Sequence, residues 1–141
     1  MRLLASGFLF FLIASFSSLK AQDTTKTKKK VSRVQYGTAS FYSNKFNGRK
    51  TANGEIFSQK KMTAAHNTLP LGTYIRVTNL RNKKSVIVKV NDRLHARNKR
   101  LIDLTRAAAQ QLGFIKSGLT RVKIEILGKN PPAQKQKYVS K

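Results

Sequence analysis

The chain has 141 residues, which leaves room for one ordinary domain and little else. Its 29 Lys and Arg stand against 5 Asp and Glu, a formal net charge of +24, which points to an anionic polymer or surface as partner and says little about fold. It has no cysteine, which excludes disulfides, a thiolate nucleophile, thiolate metal sites and lipid attachment through cysteine, so an apolar core must hold the fold.

The chain opens with Arg2 and an apolar run, Leu3 to Phe16, broken only by Ser6, Gly7 and Ser15. Small and polar residues follow up to Ala21, so residues 1–21 read as a signal peptide cleaved after Ala21. The run is shorter than the roughly 18–20 apolar residues of a spanning helix, so stable membrane insertion is not expected. The expected address is the periplasm or another part of the cell envelope. Removing Arg2 and Lys20 with the signal lowers the net charge from +24 to +22. Residues 22–33 are polar and basic and read as a disordered spacer. Residues 129–141, with a Pro-Pro pair and scattered Lys, read as a loose tail.

Between them, 34–128 is dense in apolar residues and turn signals, with no internal repeat. Val34–Tyr42 is a weak strand pattern with Gly37 inside it. Tyr74–Thr78 alternates, with Ile75 and Val77 on one face; Ser85–Val90 alternates, with Val86, Val88 and Val90 on one face; Arg121–Ile126 does so with Val122, Ile124 and Ile126. Arg81–Lys84 reads as a hairpin loop in which Asn82 tolerates a left-handed conformation. Thr105 as N-cap, good helix formers over Ala107–Leu112 and Gly113 as a stop define one helix. Many short strands and one or two short helices make a mainly β fold, a small β-barrel.

Acids are rare here, so each is weighed. Asp23 lies in the spacer, and Glu125 alternates with an apolar strand face, a solvated position. Glu55, Asp92 and Asp103 sit by turns or loops. Asp103, just ahead of the helix, fits a capping or dipole role. Asp92 is either an ion-pair or turn-stabilising group beside Arg93 or a functional acid; Glu55, after Asn53-Gly54, is either an exposed turn acid or a functional one. His66 ends an apolar stretch and reads as a hydrogen-bonded structural residue, and His95 lies in a basic loop. Two histidines without HExxH spacing predict no metal site, and no P-loop, nucleophile-elbow or dinucleotide fingerprint is present, so no cofactor is expected.

The stretches Gly37–Tyr42, Phe46–Glu55, Met62–Gly72, Val77–Leu80, Val88–Arg93 and Ile102–Thr105 occur in an order that closely resembles the rare lipoprotein A family over residues 35–127. The resemblance implies a six-stranded double-psi β-barrel, a fold shared with expansins and some endoglucanases. It implies an endolytic peptidoglycan transglycosylase that prefers glycan strands stripped of stem peptides. The family's functional acids fall in its Asn-Gly-Glu and Asn-Asp-Arg motifs and a His in its Ala-Ala-His motif, positions held here by Glu55, Asp92 and His66. This chain has Leu94-His95-Ala96 where the family commonly has Gly-Pro-Phe, and it carries neither the lipoprotein cysteine nor the family's C-terminal peptidoglycan-binding repeat domain.

On that resemblance the expected reaction is cleavage of the MurNAc–GlcNAc β-1,4 bond with attack by the sugar's own 6-hydroxyl, giving a 1,6-anhydro end. Asp92 and Glu55 divide the acid/base and electrostatic roles, His66 orients a carboxylate or binds sugar, and Tyr42 and Phe41 offer aromatic faces. Asn53, Asn91 and Arg93 bind hydroxyls or the lactyl carboxylate. The partner is the peptidoglycan glycan strand, with other anionic envelope polymers held by charge. The rival reading is a non-catalytic, expansin-like wall-binding module. Nucleic-acid binding is not expected in an exported chain without interleaved aromatic residues. Nothing in the sequence fixes an oligomeric state.

Overall fold

The structure, a computed structural model, describes residues 33–133. The expected signal peptide, the spacer up to its last residue and the tail from residue 134 lie outside the described residues. Six strands, β1 (Val34–Phe41), β2 (Thr63–His66), β3 (Tyr74–Asn79), β4 (Ser85–Asp92), β5 (Ile102–Leu104) and β6 (Thr120–Gly128), close into a barrel in the order β1-β5-β2-β4-β3-β6. One α-helix, α1 (Arg106–Leu112), and a single 3-10 turn, Asn44–Phe46, complete the regular structure of the described residues. The fold is the mainly β, six-stranded barrel that the resemblance implies. β1–β5 and β2–β4 pair in parallel, and the other four pairs are antiparallel.

The period-2 segments form β3, β4 and β6, and their inward sets fill the barrel: Ile75, Val77, Val88, Val90, Val122 and Ile124 are all at most 1% exposed. The helix closes the barrel with Ala108, Ala109 and Leu112, backed by Phe114. Thr105 caps it by accepting from the Ala108 N–H, and Gly113 ends it in the left-handed region at φ 75°. Its last carbonyl, Leu112 O, accepts from the side-chain amides of both Asn79 (2.9 Å) and Asn82 (2.8 Å). That bond corrects the hairpin expectation. Asn82 is held by the helix end, and Lys83 takes the left-handed turn position at φ 63°.

β2 and β5 carry no alternating pattern. All seven of their residues are buried, so neither strand shows a solvent face to the sequence. Glu125 also departs from expectation. It is half-buried and faces two cations, Lys123 (3.5 Å) and Arg76 (3.9 Å), across the outer sheet face.

Candidate functional site

A cleft of about 520 Å³ opens at the end of the barrel where β1, β2, β4 and β5 meet. Its floor follows from strand register. Ala65 on β2 pairs with Asp92 on β4 and with Asp103 on β5, and Asp103 pairs with Ser40 on β1. Asp92, Ala65, Asp103 and Ser40 therefore form one row across four strands, and all four line the cleft. Two strand spacings place the aspartate backbones roughly 10 Å apart. The methyl of Ala65 is the only side chain between them in the row, and the register shift between Ala64 and Ala65 leaves Asn91 of β4 as the extra residue beside it.

The two aspartates have different surroundings. Asp103, 9% exposed, accepts from Arg100 through Nε (2.9 Å) and Nη2 (3.1 Å), and from the Ser40 hydroxyl. Asp92 meets only neutral donors: the Tyr42 hydroxyl on Oδ2 (2.7 Å) and the Ala52 and Arg93 backbone N–H groups on Oδ1 (both 2.9 Å). Burial, then the hydrogen bond and charge of Asp92, then the charge of Asp103, push the Tyr42 hydroxyl well above the usual tyrosine range. Tyr42 is therefore a neutral donor fixed on Asp92, its ring packed on Phe57 (centroids 4.4 Å) and edge-on to Phe46 (5.8 Å).

Several expected site residues stand elsewhere. Glu55 is not among the residues lining the cleft. It accepts from Lys89 Nζ (2.5 Å), Asn53 Nδ2 (2.9 Å) and Asn91 Nδ2 (3.2 Å). The Lys89 bond, helped by those of Asn91 and Asn53 and by the lysine's charge, outweighs partial burial and holds its carboxyl at about 2. A carboxylate so acidic does not deliver a proton near neutral pH, which leaves the acid/base half of the expected division to Asp92. It pins the 51–55 turn to β4, and that turn supplies the Ala52 N–H to Asp92. Asn53 and Asn91, expected to bind substrate, are the groups that hold Glu55.

His66 is also withdrawn from the cleft, at 1% exposure. Its Nδ1 accepts from the N–H groups of Thr68 and Leu69 (both 3.1 Å), so Nε2 carries the proton and donates to Gln35 Oε1 (2.9 Å). Burial, then the positive charge of Arg93, lower its pKa to about 4. This neutral, doubly bonded ring orders the turn after β2. The carbonyls of His66 and Leu69 in that turn accept from Arg93 Nη1 at 3.2 and 2.6 Å. Arg93 lines the cleft, yet its guanidinium points at those carbonyls, and no ion pair forms with Asp92.

Phe41 lines the cleft with its ring packed edge-on to Phe114 (centroids 5.8 Å). Sequence reasoning missed Asp103, Arg100, Ser40 and Phe46 as site residues. The place of Asp103 just ahead of the helix suggests a capping role, but Thr105 caps α1, and Asp103 is the centre of a buried strand. The overlooked signal was an acid inside the apolar run Leu101-Ile102-Asp103-Leu104. In the loop that departs from the family pattern, Leu94 is buried at 8%, while Leu94 and His95 both line the cleft.

Comparison with known proteins places this geometry in context. A double-psi β-barrel family model described as lytic transglycolase matches residues 34–124. A protein of Pasteurella multocida named endolytic peptidoglycan transglycosylase RlpA is 52% identical over 104 residues, covering 73% of this chain and 35% of that protein. A Neisseria meningitidis protein of the same name is 50% identical over 108 residues, covering 75% of this chain and 45% of its own length. The chain thus spans less than half the length of these relatives. Among solved structures, an expansin of Clavibacter michiganensis in its apo form superposes with TM-score 0.58 at 20% identity, covering 70% of this chain and 52% of that one. The Streptomyces papain inhibitor superposes with TM-score 0.55 at 19% identity, covering 67% and 94%. These structural likenesses show a shared barrel.

Proposed function

The chain belongs to the lytic transglycolase family of double-psi β-barrels, and on that premise we propose that it cleaves the MurNAc–GlcNAc β-1,4 bond of peptidoglycan glycan strands, leaving 1,6-anhydroMurNAc ends. One observation carries the reading: Asp92 and Asp103 stand on either side of Ala65 in one cleft, and only Asp103 is tied to a cation.

Asp92 is the cleft carboxyl without a cationic partner, and the acid/base role falls to it. It protonates the glycosidic oxygen as the C1–O bond breaks, and the leaving sugar departs as an alcohol. Positive charge develops at C1 and the ring oxygen in the oxocarbenium-like transition state. The Asp103 carboxylate, fixed by Arg100 and Ser40, lies across the cleft to stabilise it. The 6-hydroxyl of the same sugar then bonds to C1, and its proton returns to Asp92. Atoms balance without water or a protein nucleophile. Tyr42 and the Ala52 N–H fix the orientation of Asp92, and Glu55 and His66 act one step further out by holding the turns that carry its donors.

The substrate is expected to be peptide-free glycan, reached in the cell envelope after export on the residue 1–21 signal. The +22 charge then adds salt-sensitive attraction to anionic wall polymers. The test is digestion of peptide-free glycan in H2¹⁸O with mass spectrometry of the products. Anhydro ends free of label support the reading. Labelled reducing ends would make the protein a hydrolase, and retention on insoluble glycan without any product would make it a wall-binding module.

A further inference from the structure

The chemistry above leaves one wall of the cleft unused. Phe46, at the end of the 3-10 turn, is half-buried and lines the cleft beside Lys45. The Lys45 ammonium stands 5.3 Å from the Phe46 ring centroid and the Arg49 guanidinium 5.6 Å from it. Two cations thus share one ring. The acids of the described residues are all engaged elsewhere. Glu55 faces Lys89, Asp103 faces Arg100, Glu125 faces Arg76 and Lys123, and Asp92 faces Tyr42 and two backbone N–H groups. Among the described residues neither Lys45 nor Arg49 has an acidic partner. A bound anion would supply one.

An aromatic ring on a cleft wall offers the C–H face of a sugar a stacking surface, and the exposed Lys45 and Arg49 side chains that lie over it can swing onto the carboxylate of a sugar that takes their place on the ring. Muramic acid is such a sugar. Its 3-O-lactyl group ends in a free carboxylate when no peptide is attached, and in a neutral amide when one is. We infer that Phe46, Lys45 and Arg49 form a subsite that reads the charge of the lactyl group, with the sugar ring on Phe46 and the carboxylate against Lys45 and Arg49. This rests on the glycan-cleaving reading and names the residues that set its specificity. It makes the loss of negative charge on the lactyl group, independent of peptide bulk, a cause of discrimination.

The experiment separates charge from bulk. Peptide-free glycan is compared with the same glycan after its lactyl carboxylates are converted to methylamides, which removes charge and adds little volume. The full chain should cleave the native glycan with about 3- to 10-fold higher kcat/KM at low salt, the range of one or two partly exposed charge contacts. The ratio should fall towards one in Lys45→Gln/Arg49→Gln and in high salt, and persist in Lys45→Arg. Phe46→Ala should lower kcat/KM on both glycans. A wild-type ratio of one, or a ratio unchanged by the double substitution, overturns the inference. If neither glycan is cleaved, the functional reading fails separately. Equilibrium binding of the two glycans then decides the subsite: preference for the charged form upholds it, and equal binding overturns it.

Discussion

Lowering the pH from 7.5 to 5.0 weakens this fold by about 2 kcal/mol through His66 alone. In the folded protein His66 takes up a proton only near pH 4, because it is buried, faces Arg93 and uses Nδ1 as an acceptor for two backbone N–H groups. An unfolded histidine takes one up near 6.5. Between these values the unfolded chain binds more protons, so stability falls with pH. The contribution is complete above about 6.5, fades as pH drops, and levels off below about 4 after a total loss of about 3 kcal/mol. Urea unfolding at the two pH values measures it. His66→Asn keeps an acceptor for the Thr68 and Leu69 N–H groups but cannot titrate. It should cost about 1–3 kcal/mol at pH 7.5, since Gln35 loses its donor and space opens, and should lack the pH-dependent part. A variant that loses the same 2 kcal/mol or so on acidification would refute the assignment of that proton to His66.

Three further outcomes follow from the same geometry. Tyr42→Phe removes the hydroxyl bonded to Asp92 and should slow release of anhydro ends about 10-fold, with a stability change near 1 kcal/mol, checked by product mass spectrometry and denaturation. Asp103→Asn leaves Arg100 without its charge partner and removes the facing carboxylate. It should lower kcat by about 10²-fold or more in the same product assay, with little change in KM. Gly37→Ala would place a Cβ 2.6 Å from the Leu101 Cβ. The overpacking should destabilise the barrel by about 1–3 kcal/mol, read as a lower thermal midpoint.

The strands legible in the sequence were those with one wet face. β3, β4 and β6 alternate because their outer residues meet solvent, and the N-cap Thr105 and stop Gly113 bound α1 for local reasons. β2 and β5 were illegible as strands because both faces are buried. That hidden pair also carries the floor of the cleft, so the role of Asp103 is hidden together with its strand. The motif resemblance pointed to Glu55 and His66, but spacing along the chain does not say which way a side chain faces. Glu55 faces Lys89 and His66 faces the core, and both reach the cleft only through the backbone turns they hold. Asp92 was legible as an acid, and its partners became so only once the Ala52 turn and Tyr42 met it across the fold.

The measurement closest to the central claim sets Asp92→Asn beside Glu55→Gln on peptide-free glycan, following anhydro ends over time with folding checked by circular dichroism. The account predicts that Asp92→Asn loses about 10²- to 10⁴-fold in rate, the range of a removed general acid–base group, while folded Glu55→Gln stays within about 10-fold of wild type. Asp92→Asn at the wild-type rate would contradict it, and so would a well-folded Glu55→Gln as inactive as Asp92→Asn.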